Sequence, residues 1–194
     1  MYLTQIQIHK QAVAHKQLQD SYAWHCALWE AFPGRPDDDR DFLFRIDDLH
    51  PHFRVLLLSP SPPSLQAWGC WKTKAVADSF LQHDQYVFQL KANPTMRRCE
   101  DRRRLGIYAE DRLTEWIQGK AGQNGFAVNA ESLVVGAPMD EVFIRDGRRG
   151  KHVSVDFKGH LTVTNREAFR SAFQKGVGSG KAFGFGLLML QPIR

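Results

Sequence analysis

An α+β fold built on antiparallel sheets is what the sequence predicts, and three observations carry the prediction. Short runs of alternating or β-rich residues recur at strand length along the whole chain. Two segments that open on side-chain N-caps, Asp20 and Asn165, read as helices set between those runs. In the second half, successive strands follow at hairpin spacing, which antiparallel ladders permit and parallel ones do not.

The elements follow in order. Met1 to His9 (MYLTQIQIH) alternates Leu3, Ile6 and Ile8 with polar neighbours, so it reads as a strand. Asp20 and Ser21 cap a helix to about Phe32, which Pro33 and Gly34 end. Phe42 to Ile46 and Arg54 to Ser59 are strand-like, and the Pro-rich loop SPSPPS follows them. Leu65 to Leu81 is ambiguous and partly helical; Tyr86 to Leu90 is a clear strand. The resulting order, β-α-β-β-α-β, is the ferredoxin-like pattern.

Pro94 and five arginines within eight residues then mark a junction, so the chain divides into residues 1–93 and 94–194. Tyr108 to Gln118 reads as a helix closed by Gly119, Gly122 and Gly125. Strands are expected at Phe126 to Val135, Val142 to Arg145, His152 to Phe157 and Leu161 to Thr164. Asn165 caps a helix to about Lys175, and a glycine-rich turn leads into a strand from Phe185 to Leu190. This order is compatible with a repeat of the first topology plus a hairpin, although the halves share no visible identity.

Length and composition bound the class. At 194 residues the chain makes one medium domain or two small ones, and 43% apolar with 24% charged residues is the composition of a folded protein. No run approaches the roughly 18 to 20 apolar residues of a membrane span, and no signal-peptide core opens the chain, so a cytoplasmic protein with no membrane partner is expected. Cys26, Cys70 and Cys99 are too far apart for a zinc knuckle and odd in number for a disulfide framework. The acids Asp37, Asp38, Asp39 and Asp41 lie among Pro33, Gly34 and Pro36 and read as a solvated loop, so neither a metal nor any other cofactor is expected. The formal charge of +5 is uneven: residues 1–93 carry 9 basic against 10 acidic side chains, residues 94–194 carry 17 against 11. A basic half of this kind suits a polyanionic partner.

Three groups of residues carry candidate chemistry. At about 100° per residue, Trp24, Ala27, Leu28 and Ala31 form the buried stripe of the first helix, and Tyr22, His25 and Trp29 share another face. A tyrosine and a histidine at i and i+3 can reach one ligand, and imidazole, whose unperturbed pKa is about 6.5, suits proton transfer in metal-free RNA cleavage. The helix by itself fits a packing role for both residues equally well. In KGVGSGKAFGFGLL, Gly178, Gly180 and Lys181 stand in a glycine run open to a close-approaching phosphate, or simply in a tight turn. It is not a Walker loop, because Lys175 and Ala182 occupy positions that the loop requires as Gly and Ser or Thr. Finally, Arg97, Arg98, Arg102, Arg103 and Arg104 form one basic run, and Arg145, Arg148, Arg149, Lys151 and Lys158 form another around an apparent hairpin turn.

These segments together resemble the CasE family, the type I-E CRISPR repeat endoribonucleases. The likeness lies in MYLTQIQI, DSYAWHCALWEAFP, FLFRID, the stretch Gln89 to Pro94 and the terminal GVGSGKAFGFGLLML, in the same order. The resemblance implies tandem ferredoxin-like (RRM-like) domains and metal-independent cleavage at the base of the repeat stem-loop of precursor crRNA. It implies 5′-hydroxyl and 2′,3′-cyclic phosphate ends, and retention of mature crRNA with the other subunits of Cascade. Tyr22 and His25 map to the catalytic pair, and Arg145 to Lys151 to a hairpin that grips the stem. The competing expectation is a tandem RRM-like protein that holds structured RNA without cutting it, although residues 181–186 only echo the aromatic signature of such readers.

Overall fold

Sheet membership is a non-local property, and it departs from the expected division of the chain. The computed structural model describes residues 1–33, 41–98, 100–101, 103–145 and 147–193; the acids at 37–39, Gly34, Pro36, Cys99 and Arg102 therefore lie outside the described residues. The first part comprises β1 (Tyr2–His9), α1 (Lys10–His15), α2 (Ser21–Trp29), β2 (Leu43–Leu49), β3 (His52–Ser59) and β4 (Cys70–Ala75). The rest comprises β5 (Gln85–Ala92), β6 (Thr95–Arg97), β7 (Arg104–Gly106), α3 (Glu110–Gln123), β8 (Phe126–Val128), β9 (Val134–Val135), β10 (Met139–Arg145), β11 (Arg148–Val163), α4 (Arg166–Lys175) and β12 (Leu188–Pro192).

One antiparallel sheet has the order β2-β3-β1-β4. The other has the order β10-β11-β5-β12, with β8 and β9 also paired to β11. The strand expected to close the first unit, β5, thus lies at the centre of the second sheet, hydrogen-bonded to β11 and β12. Its place in the first sheet is taken by β4, which forms inside the stretch expected to be partly helical; only Asp78–Leu81 of that stretch makes a 3-10 turn. With β5 reassigned, the second unit reads β-α-β-β-α-β, with β10 and the start of β11 as an added hairpin, while the first unit lacks its second helix.

The first sheet is buried on both faces, which explains why β3 reads as the continuous run Val55-Leu56-Leu57-Leu58. Val55 and Leu57 pack with Trp24, Ala27 and Leu28 of α2, whereas Leu56 and Leu58 join Leu43 in the core of the second unit. A charged strut spans the junction. Arg45 of β2, 8% exposed, contacts Asp47 at 2.7 Å and reaches Asp156 of β11 at 2.9 Å. Burial pushes the Asp47 carboxyl up, but hydrogen bonds from Arg54 and Arg45 outweigh it and hold the group below its ordinary 3.8.

Glycines read as helix stops do not all act as such. α3 runs through Gly119 and Gly122, because Ile117 and Ala121 beside them are buried, and ends where Gly125 takes φ 74°. No helix among the described residues is long and apolar enough to cross a membrane.

Candidate active site and nucleic-acid interface

α2 begins where Asp20 turns its carboxylate onto the helix: Oδ1 accepts from the Tyr22 and Ala23 amides at 3.0 and 2.9 Å. The helix then buries Trp24, Ala27 and Leu28, which rotates Tyr22, His25 and Trp29 toward an open cleft of about 360 Å³. Cys26, Arg145, Ala182 and Phe183 complete its lining. The Tyr22 and His25 rings lie 6.3 Å apart at 30°, and the Arg145 guanidinium stands 5.9 Å from the centre of the Tyr22 ring. His25 is also flanked by Phe42 at 5.8 Å and Phe44 at 6.5 Å, so the imidazole has an aromatic wall behind it and the cleft in front.

The second carboxylate oxygen of Asp20 has its own partner: Oδ2 accepts from the Ile144 amide of β10 at 2.8 Å. One side chain therefore caps the helix and docks the β10–β11 hairpin onto it. A stack of rings reinforces that docking, with Phe143 4.3 Å from Phe183 and 4.8 Å from His152, and Phe183 6.4 Å from Tyr22. His152 is anchored in turn by Asn93, whose Nδ2 donates to Nδ1 at 3.0 Å and whose Oδ1 accepts from the Val153 amide at 3.2 Å. Burial pushes the His152 imidazole below its ordinary 6.5, in keeping with an Nδ1 that accepts a hydrogen bond.

This arrangement makes Asp20 a sharp test of the docking. Asp20→Asn keeps an oxygen for the cap but turns an N–H donor toward the Ile144 N–H. We expect α2 to survive, with stability changed by no more than about 1 kcal/mol. The single-turnover cleavage rate should fall roughly tenfold, because small displacements of reacting groups are costly. A wild-type rate in this variant would show that hairpin docking does not set the geometry of the cleft.

The basic residues do not form one patch. Residues directly opposite on a ladder share a face, so the pairs Arg145↔Arg148 and Phe143↔Gly150 face the cleft side of the hairpin. Ile144↔Arg149 and Val142↔Lys151 present the other side, where Lys151 meets Asp140 at 2.9 Å and the Tyr108 hydroxyl at 3.1 Å. Lys158 sits mid-strand opposite Gln89 and Val134, away from the hairpin turn. In the other run, Arg98 and Arg103 are ion-paired to Asp101, and Arg97 and Arg104 stand opposite each other across β6 and β7. For Arg148→Ala and Arg149→Ala measured separately, the face that holds the RNA stem should lose roughly 0.7 to 0.9 in log–log salt slope per phosphate contact. Unchanged slopes in both would reduce the hairpin tip to a solvated turn.

Between these parts runs the glycine segment. Gly176, Gly178, Gly180, Gly184 and Gly186 all have φ between 75° and 88°, a conformation that side chains rarely adopt, so the turn itself requires them. Gly178 and Gly180 also line surface pockets, beside Lys181 and Asn93 respectively. Among the described residues, no group of three or more His, Cys, Asp and Glu side chains is placed to hold a metal ion. Asn93, His152, Phe143 and Phe183 were not legible as site residues, since no spacing in the sequence relates them; Asp20 was legible only as a cap.

Two ferredoxin-like units in tandem, with a tyrosine and a histidine in a cleft where the helix of one meets the hairpin of the other, define the class. The family described as CRISPR associated protein matches residues 1–192, and the chain belongs to it. It is 31% identical over 207 aligned positions to the CRISPR system Cascade subunit CasE of Escherichia coli K12, with 100% of both chains covered. The crystal structure of Cas6e from Escherichia coli K-12 matches with a TM-score of 0.77 at 30% identity, covering 100% of both chains. Thermus thermophilus Cse3, bound to an RNA representing a pre-cleavage complex, shares the fold with a TM-score of 0.83 at 22% identity over 98% of both chains.

Proposed function

We propose that this chain is a cytoplasmic, metal-independent endoribonuclease that cuts the repeat stem-loops of precursor crRNA and retains the product within Cascade. The observation that carries the reading is the single cleft shared by Tyr22, His25 and Arg145, in a chain of the CRISPR-associated family. The 2′-hydroxyl upstream of the cut gives up its proton, its oxygen forms a bond to phosphorus, and the bond from phosphorus to the 5′-oxygen breaks. The products are a 2′,3′-cyclic phosphate and, after protonation, a 5′-hydroxyl. His25 serves in proton transfer, Tyr22 orients the hydroxyl or the phosphate, and Arg145 stabilises the charge that builds on the phosphate oxygens. The family relative named for Cascade supports the assembly, and the basic second half supports recognition of a stem by its shape and phosphates.

Incubation of the purified chain with a cognate repeat RNA in excess EDTA tests this. Cleavage should persist, with cyclic phosphate and 5′-hydroxyl ends. Loss of cleavage that returns on adding Mg²⁺ would mean that a metal ion activates the nucleophile.

A further inference from the structure

On the side of the glycine segment away from Tyr22 and His25 lies a trough that neither the sequence motifs nor the proposed mechanism uses. It consists of two adjoining pockets of about 540 and 570 Å³ that share Thr95, Arg104 and Ser179. The first is lined by Arg97, Arg104, Lys120 and Lys181 over a floor that includes Trp116; the second continues past Arg104 to Tyr108 and Lys151. Neither lining contains a carboxylate. This departs from the rest of the surface, where Arg98, Arg103, Lys10 and Arg112 each have an acidic partner.

Two features show that the trough is built for an anion. Arg97 and Arg104 are placed directly opposite one another on the β6–β7 ladder, an arrangement that like charges disfavour. Among the described residues neither has an ion-pair partner, although Asp101 in the same hairpin serves Arg98 and Arg103. A phosphodiester chain between the two guanidinium groups relieves that repulsion. On α3, Trp116 stacks against Phe157 at 5.7 Å and holds the Lys120 ammonium 6.0 Å from its ring centre, which fixes a third cation beside the pair. The pocket volumes suit a single strand and exclude a duplex.

Position supplies the ligand. Lys181 lines the trough, and Ala182 and Phe183, the next two residues, line the Tyr22–His25 cleft. The short turn Lys181–Phe183 is therefore a ridge with the cleft on one flank and the trough on the other. We infer that the trough is a second RNA site, which holds the phosphate backbone of the single-stranded RNA flanking the stem-loop as it leaves the cleft. This rests on the endoribonuclease reading for the identity of the RNA, and on the trough's own charge and shape for the contact.

The test uses binding alone, so that it stands apart from catalysis. A repeat stem-loop made uncleavable by 2′-deoxy substitution at the cut is compared with the same RNA carrying a ten-nucleotide single-stranded extension on its 5′ or its 3′ side. One of the two extensions should tighten binding roughly tenfold at low salt, and steepen the log–log salt slope by roughly 0.7 for each phosphate held. In the double variant Arg104→Gln, Lys120→Gln that gain should vanish, while affinity for the bare stem-loop stays within about twofold of wild type. Extensions that give no gain, or a gain that the double variant keeps, would overturn the inference. Equal loss of bare stem-loop affinity in the variant would also overturn it, by assigning the trough to the stem. Cleavage of the unmodified stem-loop, followed separately, reports on the endoribonuclease reading whichever way the binding result falls.

Discussion

Replacing the 2′-hydroxyl immediately upstream of the cut by hydrogen should abolish cleavage and leave binding within about twofold of the unmodified RNA. The mechanism makes that oxygen the nucleophile, so its removal takes away the bond-forming atom rather than a stabilising contact. By contrast, the phosphates, the stem and the flanks that dominate affinity in a basic protein are untouched. The effect should be the largest available from any single-atom change, since no residue of the cleft can substitute for the missing oxygen. The measurement is a single-turnover time course on paired substrates, with Kd determined for both. Cleavage of the 2′-deoxy RNA to a 5′-hydroxyl or a 5′-phosphate product would mean that water attacks the phosphorus, and would return the cleft to the role of a binding surface.

How much of this was readable beforehand follows from the range of the interactions involved. The capping of α2 by Asp20 and the buried face of Trp24, Ala27 and Leu28 depend on residues three and four apart, and the sequence displays them. The hairpin tip was equally local, with Gly147 at φ 70° between paired Arg145 and Arg148. What failed was partnership. Alternation marks β5 as a strand but says nothing about its neighbours, so it was assigned to the sheet nearest in sequence instead of the one that hydrogen-bonds to it. β11 was expected as two strands because Gly159 resembles a turn. It is one strand of 16 residues, and the glycine is needed because a Cβ there would stand 2.9 Å from the Ser132 carbonyl oxygen. The same limit hid the trough: Lys120 on α3 and Arg104 on β7 read as a solvated helix face and a charge run until the fold sets them around one pocket.

His25→Ala should lower the single-turnover rate by roughly 100-fold or more, the usual loss when a positioned proton-transfer group is removed. Affinity for the stem-loop should remain within a few-fold of wild type, because the cations that hold RNA lie elsewhere. Stability needs separate treatment, since the imidazole is not simply an exposed side chain. It lies off the buried stripe of Trp24, Ala27 and Leu28, yet its ring stacks against Phe42 and Phe44, so alanine leaves a gap against that wall and should cost about 1 kcal/mol. That packing is the observation that favours a structural histidine in a protein that only binds RNA, and the variants must separate the two. His25→Gln refills most of the volume and keeps a hydrogen-bonding end, but it has no group that titrates near neutral pH. If His25 transfers a proton, the glutamine variant recovers thermal stability and stays as slow as alanine. If His25 only supports Phe42 and Phe44, glutamine restores rate and stability together. Tyr22→Phe provides the scale: loss of a hydroxyl that orients the substrate should slow cleavage by roughly tenfold, less than loss of the proton-transfer group. Near-normal cleavage by His25→Ala would remove the histidine from the chemistry while leaving the family assignment intact.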